Sequence, residues 1–139
     1  MRRVLVAAAL AVALVVSACG ESAEDKAQST VCAARADIKQ QVDELKGLTV
    51  TTATLDGVQA NLRAIGDSLR KITGAQKDLT GDRKQDVQKA TQTFKSEVAE
   101  VGSQLVKSVS LSDGKQQIET ALQGLASSYE AALAPIDCS

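Results

Sequence analysis

The sequence predicts an all-α protein, an up-down-up-down four-helix bundle, and three observations carry that expectation. Apolar residues recur three and four positions apart along four separate stretches. Short breaks rich in Gly, Ser, Thr and Asp divide those stretches. Cys32 and Cys138 fall at the start of the first stretch and just past the end of the last. An even-numbered up-down array brings those two positions to one end.

In the first stretch Val31, Ala34, Ile38, Val42 and Leu45 keep helical spacing. Gly47 and the run Thr49 to Thr52 close it, because β-branched residues and glycine are poor helix formers. The second stretch is the most regular: Leu55, Val58, Leu62, Ile65, Leu69 and Ile72 alternate three and four apart, as in a heptad seam. The third places Val87, Phe94, Val98, Val101, Leu105 and Val109 on one face, with Ala90 and Thr91 filling the gap. Val87, Val98 and Val109 lie eleven apart, a period that predicts a nearly straight helix. Ile118, Leu122, Leu125, Tyr129 and Leu133 make the fourth face, which Pro135 ends. Only Leu48 to Thr52 reads as a competing strand fragment.

The amino terminus has a different character. Arg2 and Arg3 precede an unbroken run of Val, Ala and Leu from Val4 to Val16, followed by the small residues Ser17 and Ala18. That is the layout of a secretory signal, too short to span a bilayer of ~30 Å comfortably. Val16-Ser17-Ala18-Cys19 resembles the lipobox of bacterial lipoproteins. The resemblance implies removal of residues 1–18 and a diacylglycerol thioether, often with an acylated amine, on Cys19. Two or three chains give lasting membrane attachment where one gives only marginal binding. Residues 19–29 then read as the lipidated cysteine and a polar tether, and 30–139 as the bundle. The localisation expected is the extracytoplasmic side of the cell membrane, with the outer membrane open in a two-membrane cell.

Export would carry Cys32 and Cys138 into an oxidising compartment, where an even pair reads as a disulfide. A zinc site built on them lacks ligands, since the chain has no histidine. The bridge also tests the helix count. In a three-helix array the two cysteines would sit at opposite ends, roughly 30 Å apart for 20-residue helices.

Recognisable chemistry is sparse. Without histidine there is no imidazole base and no di-iron Glu-x-x-His motif, and hydrolase triads lack their usual base. The nine glycines form no phosphate-binding loop. Glu97 and Glu100 share a helix edge but read as a solvated surface pair. Phe94 and Tyr129 read as core, and with no Trp the stacking platforms of sugar or single-strand binders are missing. Removing Arg2 and Arg3 from 16 basic residues leaves 14 against 17 acidic, about −3, which disfavours nucleic acid. No enzyme, cofactor, metal or nucleic-acid role is expected.

Three features remain as candidates. Arg70, Lys71, Lys77, Arg83, Lys84 and Lys89 outnumber Asp78, Asp82 and Asp86 in one window, about +3, at the bundle end that carries the tether. It is a candidate membrane-facing patch, against the plainer reading of a solvated loop. Leu48, Val50 and Leu111 lie in Thr- and Ser-rich loops at the opposite end, a candidate partner-facing tip unless they fold onto the core. The Thr run is also a candidate for glycosylation. Gly66, Gly102 and Gly124 interrupt helices, either to let helices approach closely or to leave room for a bound acyl chain. The function expected is a non-enzymatic adaptor or structural lipoprotein with an envelope protein partner. The alternatives are a binder of lipid or small apolar ligands using the bundle interior, and a regulatory subunit of a membrane complex.

Overall fold

A computed structural model describes residues 20–48, 55–108 and 114–139. Four helices and one short turn of 3-10 helix account for the described chain: α1 (Ala23–Gly47), α2 (Leu55–Ala75), the 3-10 turn (Gln76–Asp78), α3 (Gly81–Ser108) and α4 (Gly114–Ala132). The described residues contain no strand. The strand fragment considered at 48–52 lies outside them except for Leu48, whose extended backbone caps α1 while its N–H bonds the Leu45 carbonyl at 3.2 Å.

The first helix starts earlier than the sequence pattern suggests. Residues 23–29 continue α1 instead of forming a tether, and the reason is local. Ser22 is the N-cap of a capping box: its Oγ accepts from the Asp25 N–H at 3.1 Å, and Asp25 Oδ2 accepts from the Ser22 N–H at 3.3 Å. Ala27 then falls one turn before Val31 on the buried face and joins the core. Three residues, Gly20 to Ser22, separate Cys19 from the helix.

Each helix packs on its chain neighbours, and α4 closes the ring against α1. The cross-contacts set the direction of travel. Cys138, beyond α4, bonds Cys32 near the start of α1, whereas Gln123 and Glu130 of α4 border a shallow recess with Val42 and Lys46 of α1. Phe94 of α3 meets Tyr129 of α4 edge-on, with centroids 6.1 Å apart. The turn after α2 comes back to the start of α1, where Thr80 donates to Glu24 at 2.9 Å. These pairings fit an up-down-up-down course. The end of the bundle holding Ser22, the 3-10 turn and Cys138 is called the base here, and the opposite end the tip.

One hydrophobic cluster runs through all four helices. It contains the predicted faces of α1 and α4, with Ile118 partly buried, and most of α2 and α3. Leu55 departs from its seam: it begins α2 and stands 37% exposed. Thr91 takes a core position because its hydroxyl donates to the Val87 carbonyl at 2.6 Å, which satisfies it inside the helix. Val109 lies outside the described residues. Between the 3-10 turn and α3, Gly81 has φ +57°, a left-handed conformation that a side chain would strain.

The interior glycines do not bring helices together. A Cβ added at Gly66 or Gly102 would meet nothing within 4 Å, and one at Gly124 would meet only Glu97 Oε1, at an ordinary 3.6 Å. The expectation of close approach therefore fails at 66 and 102, because both positions turn away from neighbouring helices.

Candidate functional site

The base is built around the chain's end. Pro135 lacks an N–H and stops α4, which leaves carbonyls at its C-terminus without helical partners. α4 has no basic residue in its last turn to answer them. The cation comes from α1 instead: half-buried Arg35 donates through Nη1 to the carbonyls of Ala134, at 3.1 Å, and Ile136, at 2.5 Å. Tyr129 returns a bond to α1, its hydroxyl donating to the Arg35 carbonyl at 3.4 Å. Burial pushes the Tyr129 pKa up, although Arg35 and Lys39 pull the other way.

The Cys32–Cys138 disulfide fastens the same tail one turn of α1 away, with Cα atoms 5.7 Å apart. Gln28 adds a long hydrogen bond to the Asp137 carbonyl, at 3.5 Å. The hydroxyl and N–H of Ser139 donate to the Asp137 carboxylate and hold its pKa below the usual range. Arg35 was invisible in the sequence because it is off the apolar stripe. The one available signal was that a helix stopped by proline needs a donor for its last carbonyls.

The basic window is only partly a patch. Arg70 pairs with Asp67, Lys71 with Asp37 at 3.8 Å, and Arg83 with Glu24 at 3.9 Å. Lys77, Lys84 and Lys89 are exposed and have no ion-pair partner among the described residues. The fold also sets Glu24 and Asp25, the acidic first turn of α1, beside this window. The excess positive charge counted along the chain is thus diluted in space, an effect that a linear window cannot register.

Beside the clasp lies a groove of about 610 Å³ between the first half of α3 and the end of α4. Val87, Ala90, Ala131, Ala132, Pro135 and Ile136 line it with apolar surface. Its charged rim consists of Arg83, Asp86 and Lys89 on one side and Asp137 on the other. No spacing motif signalled this groove, because small alanines and a folded-back tail create it together.

At the tip, Leu48 packs partly buried against the core and is not an exposed contact. Val50 and Leu111 lie outside the described residues, as does Cys19. Among the described residues, the large apolar side chains that do stand exposed are Leu55, at the start of α2, and Val106, 69% exposed near the end of α3. Both are at the tip.

No family model, curated protein or solved structure matches this chain. Among the described residues no three His, Cys, Asp or Glu side chains are grouped to hold a metal ion. No described helix is long and apolar enough to cross a membrane.

Proposed function

We propose that this chain is a lipid-anchored, non-enzymatic adaptor of the bacterial cell envelope. In this reading the lipid on Cys19 holds it to the extracytoplasmic face of a membrane, and a protein partner meets its tip. The observation that carries the reading is the position of Leu55 and Val106. Among the described residues they are the large apolar side chains left exposed, and both lie at the end opposite Gly20 to Ser22. A contiguous apolar patch left in water often marks a contact site, and Leu55 and Val106 are proposed as parts of one. The short spacer, Gly20 to Ser22, reaches about 10 Å when extended, so the base stands close to the lipid surface and the tip points away.

Photo-crosslinking in cells tests this directly. A crosslinking residue at 55 or 106 is expected to trap a discrete protein, whereas one at Lys84 on the base is not. Crosslinks from position 84 alone, or a fully soluble chain that takes up no labelled fatty acid, would refute it.

A further inference from the structure

We infer that the α3–α4 groove at the base binds the acyl chain of a single-chain zwitterionic phospholipid, of the lysophosphatidylethanolamine type. Size and surface come first. About 610 Å³ is within the usual range of small-ligand sites, and half of the lining residues are alanine, valine, proline or isoleucine, with Thr93 and Ser128 among the polar remainder. With the small side chains of Ala90, Ala131 and Ala132 in its lining, the groove has room for one flexible aliphatic chain and no aromatic ring to stack on a flat ligand.

The rim selects the head group. Arg83 is already engaged, donating to Gln28 Oε1 at 2.7 Å and facing Glu24. The Asp137 carboxylate is engaged by Ser139. That leaves Asp86 and Lys89, one of each sign, three apart on one edge of α3 and without an ion-pair partner among the described residues. Residues at that spacing are neighbours on a helix surface, about 5–6 Å apart. A phosphate next to Lys89 and an ammonium next to Asp86 answer both charges at once. An anionic or a neutral head answers only one or neither.

The carboxyl-terminal tail forms one wall. Pro135, Ile136 and Asp137 line the groove, and the disulfide at Cys138 with the Arg35 clasp fixes them there. The site therefore exists only while the tail is seated. The proposal concerns a surface groove, not the bundle interior, and does not depend on the partner proposed for the tip.

The experiment uses the oxidised chain from Gly20 onward, which contains all four helices and the whole core cluster. Lysophosphatidylethanolamine below its micelle concentration is titrated calorimetrically, beside a nonionic single-chain detergent of equal chain length. One-to-one binding of the lysolipid, at least about tenfold tighter than the detergent, is expected. Ala131→Trp, at an exposed lining position, should abolish it while circular dichroism stays helical. Lys89→Glu should remove the preference over detergent. Absence of binding, or binding unaffected by Ala131→Trp, overturns the site. Equal affinity for the detergent overturns the head-group assignment.

Discussion

Replacing both Cys32 and Cys138 by serine separates two ways in which the bridge could stabilise the bundle. The cysteines are 106 positions apart, so the bond closes a loop of about 107 residues. In the chain-entropy model that removes about 16 cal/mol/K from the unfolded ensemble, or about 4.8 kcal/mol at 25 °C. An unfolding entropy near 2.1 cal/mol/K per residue over roughly 110 residues converts this to a fall in Tm of up to about 20 °C. Native strain and residual structure in the unfolded chain commonly make the measured loss smaller.

The native side predicts little change, because the Arg35 guanidinium still holds Ala134 and Ile136 when the sulfur bridge is gone. The loss should then come from the unfolded state, and urea denaturation can tell. The serine variant should unfold at lower urea with an equal or larger m value, since an uncrosslinked denatured chain exposes more surface. Its helical content and tail contacts should persist in NMR spectra. A loss below about 1 kcal/mol, or a tail detached in the folded variant, would refute the reasoning. Arg35→Ala in both backgrounds completes a double-mutant cycle. Its cost should be larger without the bridge, because the two fastenings act on the same seven residues.

Other perturbations follow from packing and charge. Phe94 is fully buried, so Phe94→Ala should cost about 3–5 kcal/mol in urea unfolding, a cavity loss that no other aromatic besides Tyr129 can refill. Gly66→Ala and Gly102→Ala should each stabilise by up to about 1 kcal/mol, since neither added Cβ meets a neighbour; destabilisation would restore the close-approach reading. Gly81→Ala should destabilise by about 1 kcal/mol despite open space, because its φ is positive. The chain's only tyrosine can be followed by ultraviolet absorbance. Burial raises the Tyr129 pKa on folding, so its contribution to stability is complete below the unfolded value near 10 and lost as pH rises through the higher folded value. Midpoints of ionisation should therefore lie higher in the folded protein than in urea.

Periodicity made the four core faces legible because burial in a bundle repeats with the helix. Ile38, Ile65, Phe94 and Leu125 are positions that a 3.6-residue period alone places inside, and all are buried. Cysteine placement added the closing contact, since two residues 106 apart can bond only if the first and last helices meet at one end. What escaped was set by contacts between elements. The capping box at Ser22 lengthened α1 at the expense of the tether, although its Ser-x-x-Asp pattern was present in the sequence. For Leu48 the sequence left two places open, a partner-facing tip or the core, and the contact with the core decides it. The six cations were a candidate patch only along the chain; in space Asp37 and Glu24 of α1 come against two of them.

The fastenings are unevenly distributed along the bundle, and that asymmetry bears on both proposals. The disulfide, the Arg35 clasp and the bonds from Thr80 and Arg83 to α1 all gather at the base. They tie the last residues of the chain and the turn before α3 to the stretch of α1 between Glu24 and Arg35. If Cys19 carries lipid, as proposed, a pull through it loads that end, where the covalent bridge joins α1 to the residues after α4. The same fastenings keep Pro135 and Ile136 in place as a wall of the groove. At the tip, Leu55 leaves part of its side chain in water and Val106 most of it. Their exposure is the term that burial in a partner interface would offset, and this is why the contact site is assigned to the tip and the ligand groove to the base.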